Sequence, residues 1–262
     1  MFKSLWIAST GMKAQQLYVD VIANNLANVN TVGYKKNRVD FEDLLYQSTK
    51  IPGAATSPTT EVPTGMQIGQ GVRSVATQKQ FSVGNLQHTE NPMDLAIEGD
   101  GFFQVLQPDG EIGYTRDGTF KIDSDGNIVN SNGYQLDPAI SITEETTEIF
   151  ISPDGIVSIL EAGNATPTEV GNIELARFVN PAGLKSIGSN LYLETEASGD
   201  AITGIPGEDS LGTLAQGFLE MSNVSVVEEM VNMIVAQRAY EINSKSIQTA
   251  DEMLQLANNL KR

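Results

Sequence analysis

The chain has 262 residues, with 16 Lys and Arg against 33 Asp and Glu, a formal net charge of −17. That balance argues against nucleic acid, whose binding rests on basic groups neutralising phosphates, and against an anionic membrane surface. Cysteine is absent and His88 is the single histidine, which excludes a disulfide framework, a thiolate nucleophile, Cys-ligated zinc and any site that needs two imidazoles.

The opening stretch, MFKSLWIASTGMKAQQ, does not read as a signal peptide, because Ser4, Ser9, Thr10 and Lys13 interrupt its apolar residues. A 3-4 spacing runs through Leu5, Ala8, Met12, Gln15, Val19, Ile22, Leu26 and Val29, broken only at Gln15. It predicts a helix over about Ser4–Asn28 with those residues on one face. Asn24, Asn25, Asn28 and Asn30 crowd its end and Gly33 follows, residue types that tolerate left-handed backbone and stop helices. Residues 47–66 (QSTKIPGAATSPTTEVPTGM), rich in Thr, Pro and Gly with little apolar content, read as an extended arm rather than a core element, the arm as a whole spanning 46–70.

From 71 to 214 turn signals recur at short spacing: Asp109-Gly110, Asp117-Gly118, Asp125-Gly126, Asn132-Gly133 and Asp154-Gly155. Between and after them lie short apolar runs such as 102–106, 149–151, 156–160 and 191–193, so this segment is predicted to be all-β. No chemical motif there rises above background. Asp123-Ser-Asp125-Gly-Asn127 places its glycine at loop position 4, with Tyr134 at position 12, and so fails as a calcium loop. Gly99-Asp-Gly101 lacks the third glycine of a dinucleotide loop, and no Gly-Lys dipeptide offers a phosphate loop. Paired carboxylates for glycoside hydrolysis have 23 acids to draw on between 46 and 214, but none is marked out, and a solvated acidic surface explains them. No catalytic residue, metal or cofactor is expected.

The C-terminal segment opens on Ser225-Val-Val-Glu228, a capping box. A seam at sevens follows, Val226, Met233, Tyr240, Ile247 and Leu254, interleaved by Ala236, Asn243, Ala250 and Ala257. It predicts a helix over about 226–259, with Asn243 as the one polar seam residue, of the kind that fixes register at some cost in stability. A second apolar stripe runs through Val227, Val231, Ile234, Met253, Leu256 and Leu260. One antiparallel partner cannot cover both stripes, and the chain offers no third long helix. Other copies of the chain are therefore expected to cover the second one, in head-to-tail contacts that build rings or open filaments. Between the helical ends sit all ten prolines, 21 of the 24 glycines and a net charge of −16. The expected fold is α+β, with residues 1–45 plus 215–262 as a coiled-coil-like helical domain, 46–70 as the arm and 71–214 as an outer β domain.

The sequence resembles the flagellar rod and hook axial proteins at both ends and in the middle. The resemblance is carried by Ala8-Ser-Thr-Gly-Met12, residues 21–31 (VIANNLANVNT), Gly33-Tyr-Lys35 and residues 41–46 (FEDLLY). Further in come residues 92–105 (PMDLAIEGDGFFQV), residues 114–118 (YTRDG), Ser222-Asn-Val224, residues 229–234 (EMVNMI) and residues 237–245 (QRAYEINSK). Asn24, Asn25, Asn28, Gly33, Gly99, Gly101 and Arg238 belong to these signatures. The length leaves no room for the additional outer domain usual in the hook protein, and the arm, Val170-Gly171 and residues 187–192 (IGSNLY) look like the rod branch. The resemblance implies a non-enzymatic subunit, exported without a cleaved signal by the flagellum's own type III apparatus, that polymerises around a central channel. The shaft so formed carries torque from motor to hook. Its implied partners are further copies of itself, proximal rod proteins, the hook protein and the basal-body rings. Rival readings are a proximal rod or hook-type subunit, or a secreted β-domain adhesin or enzyme on helical oligomerisation ends.

Overall fold

The structure is a computed structural model that describes every residue except 1, 51–54, 58–59, 62, 144, 164–165 and 260–262. Leu260 of the second stripe and those arm positions therefore lie outside the described residues. The chain forms two helices around a strand-rich centre, an α+β fold, and divides into two compact units. The first comprises Met1–Leu26, Asn37–Gln78 and Ser225–Arg262; the second comprises Ala27–Lys36 and Lys79–Val224. These limits differ from the breaks at 45, 70 and 214 that composition suggests.

In the first unit, helix α1 covers Phe2–Ala27 and helix α2 covers Val226–Asn259, about 51 Å at 1.5 Å per residue. Ser225 caps α2: its Oγ accepts the Glu228 amide at 3.5 Å and its carbonyl accepts the Glu229 amide at 3.0 Å. No Gly or Pro interrupts α2, which is why its helix runs unbroken. Strand Asn37–Asp43 pairs with Val72–Lys79. The arm is a β ribbon rather than a plain extended segment. Tyr46–Lys50 pairs antiparallel with Met66–Gly69, and Ala55–Ser57 pairs with Thr60–Glu61 nearer the tip.

The second unit is built from antiparallel pairs. A nine-stranded sheet centres on Phe102–Leu106, which pairs with Ile112–Thr115, Gln135–Asp137 and Leu175–Arg177. Period-2 alternation sends Phe103 and Val105 into the main core with Leu95, Ile97, Phe120, Ile128, Leu136, Val157 and Ile173. Phe102, on the opposite face, joins Tyr114, Phe178, Leu184 and Tyr192 in a smaller aromatic cluster. A three-stranded sheet of Thr146–Ile151, Ile156–Glu161 and Thr168–Asn172 adds to the main core. Two short pairs close the unit: Leu95–Glu98 with Thr213–Gln216, and Leu86–His88 with Phe218–Glu220.

Four of the five predicted turn glycines take the positive φ that their turns demand: Gly110, Gly126, Gly133 and Gly155, at +80° to +87°. Gly118 is the exception and works by close approach. Its amide-bearing backbone lies against Leu95, whose N–H donates to the Gly118 carbonyl at 3.0 Å, and an added Cβ would fall 1.6 Å from the Leu95 carbonyl oxygen.

Candidate assembly surface and buried charge cluster

Burial along α2 separates two faces. Glu229, Ala236 and Ala250 are its buried residues, and Asn243 between them is half-buried. The seam at sevens flanks that line: Met233, Ile247 and Leu254 are half-buried, whereas Val226 and Tyr240 remain exposed. The small residues lie deepest because their short side chains let a neighbouring backbone approach. The second stripe is open to solvent. Val227 is 74% exposed, Ile234 57% and Leu256 64%, and Val231 and Met253 are more than half or about half exposed. Met230, Val235 and Ile242 widen it. Such a run of apolar side chains on one helix is the mark of a surface that another molecule covers.

On α1, Ala8, Ala14 and Ile22 are buried, and Leu5, Met12, Val19 and Leu26 are half-buried, while Val29 lies beyond the helix end. The two helices meet at two heights, and the order is antiparallel. Gly11 lies against the Asn243 side chain, and fourteen residues on, Asn25 Nδ2 donates to Glu229 Oε2 at 3.2 Å. Val19 and Tyr240 line a groove of about 390 Å³ between those levels. Trp6, the one tryptophan, projects 63% exposed beside Ile7, Gly69 and Gln70, which periodicity did not single out.

The signature residues divide by role. Asn25 acts as a clamp: its Oδ1 accepts the Asn37 amide and its Nδ2 donates to the Asn37 carbonyl, both at 2.9 Å. It thus joins the end of α1 to the first strand and to the first turn of α2. Asn28 accepts from Thr31 Oγ1 at 3.2 Å in the turn that ends α1, and Asn24 is exposed. Arg238 is a surface residue paired with Glu241 at 2.9 Å. Gly101, at φ +148°, opens the central strand.

Gly33 and Gly99 serve a cluster that no motif announced. In the second unit Lys35, Arg116 and Glu220 are all at most 2% exposed. Lys35 Nζ donates to Glu220 Oε1 at 2.5 Å and to the Ser82 carbonyl at 2.8 Å. Arg116 donates to Glu220 Oε2 at 3.3 Å and to the Gly99 carbonyl at 2.8 Å, and its guanidinium lies 5.4 Å from the centre of the Phe102 ring. The Gly84 amide also donates to Glu220 Oε1, at 2.8 Å. Gly33, at φ +68°, brings its amide to the Glu220 carbonyl, and an added Cβ there would meet the Arg116 carbonyl carbon at 2.7 Å. Burial depresses the pKa of both Lys35 and Arg116, and the Glu220 carboxylate opposes that shift. Lys35 and Arg116 stand inside quoted signatures, but 185 residues separate Lys35 from Glu220, so their meeting left no trace in local pattern.

Tyr114 gives the second unit an alkaline limit. Its hydroxyl donates to Glu194 Oε2 at 3.4 Å, and burial, aided by that carboxylate, pushes the phenol up to about 12. Burial raises Tyr192 as well. An unfolded tyrosine loses its proton near pH 10, whereas the folded one keeps it. Between those values the folded state binds more protons, so this stabilisation is complete below pH 10 and is lost as pH rises through 12. Lys35, shifted down, acts in the opposite sense. Tyr114→Phe is expected to flatten the fall in melting temperature between about pH 10 and 12, measured by circular dichroism.

Among the described residues no group of His, Asp and Glu could hold a metal ion, and no helix is long and apolar enough to cross a membrane. Comparison with known proteins is consistent along the whole chain. Residues 5–35 match the flagella basal body rod protein family model, residues 96–159 the flagellar hook protein FlgE/F/G D1 domain, and residues 215–260 the flagellar basal body rod FlgEFG protein C-terminal model. The flagellar basal-body rod protein FlgG of Borreliella burgdorferi is 56% identical over 264 residues, covering all of both chains. The proteins of the same name from Caulobacter vibrioides and Bacillus subtilis are 46% and 43% identical, over 99% and 100% of both chains.

Proposed function

The chain belongs to the family of flagellar basal-body rod proteins, and we propose that it is the structural subunit of the distal rod. In this reading copies of the chain polymerise into a tubular drive shaft that carries torque from motor to hook. The observation that carries it is the exposed apolar face of α2 from Val227 to Leu256. Among the described residues nothing covers that face, and burying it against further copies couples stable folding of the helical ends to polymerisation.

The helices pair in a coiled-coil-like inner domain, supported by the antiparallel contacts of Gly11 with Asn243 and of Asn25 with Glu229. The seam residues Leu5, Met12, Val19, Ile22, Leu26, Met233, Tyr240, Asn243, Ile247 and Leu254 serve that pairing. Val226, Val231 and Ile234 serve contacts between copies. The role is non-enzymatic. Proximal rod proteins, the hook protein, the surrounding rings and the type III export apparatus are its partners. Electron microscopy of the concentrated full-length chain, followed by circular dichroism, tests this: filaments should form together with a gain in helix. A small closed oligomer whose helix is complete at high dilution would favour the adhesin-type reading.

The arm makes a separate prediction. A two-stranded ribbon is marginal by itself in water, and both Tyr46–Lys50 and Met66–Ile68 are exposed. Its stability in the rod then depends on lying against a neighbouring subunit, where it stiffens the shaft. Deleting residues 47–66 is expected to give rods that bend in electron micrographs; straight rods of normal stiffness would remove this role from the arm.

A further inference from the structure

Helices α1 and α2 together contain a single glycine, Gly11, and α2's seam contains a single polar residue, Asn243. The two face one another. A Cβ built on Gly11 would stand 2.9 Å from Asn243 Nδ2, 3.3 Å from its Cγ and 3.4 Å from its Oδ1. All three nearest atoms are thus the Asn243 carboxamide. Mid-helix glycine is the least helix-favouring choice after proline, and Gly11 takes no positive φ that would require it. What Gly11 supplies is a notch, and Asn243 is the knob that fills it.

We propose that Gly11 and Asn243 form a register lock for the helix pair and thereby set the axial position of the assembly stripe. The inference rests on the pairing given under Proposed function. Only one position on α1 lacks a Cβ, so the carboxamide seats at one register. A slip of one heptad would carry Ala236 or Ala250 to Gly11 and shift the Val227–Leu256 face by about 10 Å along the shaft, at 1.5 Å per residue. Ala236 and Ala250 could pack there, but neither would fill the notch, and Asn243 would then abut a residue with a side chain. The lock therefore discriminates between registers that the apolar seam, repeating every seven residues, treats as alike.

The sign of a single substitution tests the lock. Without a knob in the notch, Gly11→Ala would raise helix stability through propensity alone. With the lock, the methyl displaces the carboxamide, and Gly11→Ala is expected to raise the critical concentration for filament formation roughly tenfold, within the range of coupling between residues in contact. Gly11→Leu, whose side chain the carboxamide cannot yield to, should abolish assembly. Asn243→Ala removes all three clashing atoms, so Gly11→Ala/Asn243→Ala should recover the helix melting of the wild type, while its critical concentration, with no lock left to choose the register, should stay raised. Filament yield by electron microscopy and helix melting followed at 222 nm by circular dichroism supply two independent readouts on the full-length chain. Normal assembly of Gly11→Leu, or wild-type assembly of the Gly11→Ala/Asn243→Ala chain, would overturn the lock. Either result leaves the polymerisation reading standing, because that reading turns on the exposed stripe at Ile234 and not on this pair.

Discussion

Replacing Ile234 by aspartate is expected to leave the second unit folded and to abolish rod assembly. Ile234 is 57% exposed in the isolated subunit and belongs to a face shared with Val227, Val231 and Val235. A surface substitution of this kind changes subunit stability by about 0.5 kcal/mol or less. In the polymer proposed above the same side chain would be buried, and the carboxylate would bring a desolvation cost that nothing at an apolar contact offsets. Loss of the buried isoleucine alone removes about 1.5–3 kcal/mol per contact, before that cost is added. The critical concentration should then rise by about two orders of magnitude or more. Electron microscopy of basal bodies, swimming assays and circular dichroism of the purified chain separate assembly from folding. Swimming cells with full-length rods would remove the stripe from the assembly contact.

The second large effect is expected at Glu220, in the interior of the other unit. Glu220→Ala leaves Lys35 and Arg116 buried without their shared carboxylate, and the Gly84 amide without its acceptor. Breaking a buried ion pair by removing one partner costs about 3–5 kcal/mol, a large part of the 5–15 kcal/mol that holds a typical domain together. The melting temperature should fall by about 6–20 °C, at 2–4 °C per kcal/mol for a unit of this size. Arg238→Ala is the control: it breaks the exposed pair with Glu241 and should change stability by less than about 1 kcal/mol. Thermal melts of the full-length chain compare the two directly, and equal effects would show that the buried cluster contributes nothing beyond an ordinary surface pair.

The exposed apolar face of α2 was legible in the sequence because a helix face repeats within one or two turns. The stripe through Val231, Ile234 and Leu256 could be written down from spacing alone, as could the Ser225 cap and the glycines of four turns. Gly118 shows the limit of that reading. Its Asp-Gly signal is the same as its neighbours', yet its need for a missing side chain comes from Leu95, which the chain folds against it. Trp6 shows another: nothing in its surroundings along the chain marks it as exposed.

The sequence by itself determined the two helices, their apolar faces, the strand-rich acidic centre and the family, since each is written in residues close together along the chain. Only the tertiary structure decided where the units divide and what closes the second one. Composition changes near 46 and 214, but Lys35 lies before the first of those breaks and Glu220 after the second, and both are buried in the same unit as Arg116. An ion cluster of that kind is fixed by which distant segments pack together. The desolvation of Lys35 and Arg116 is tolerated only when Glu220 arrives from far down the chain, and no local periodicity can encode that arrival.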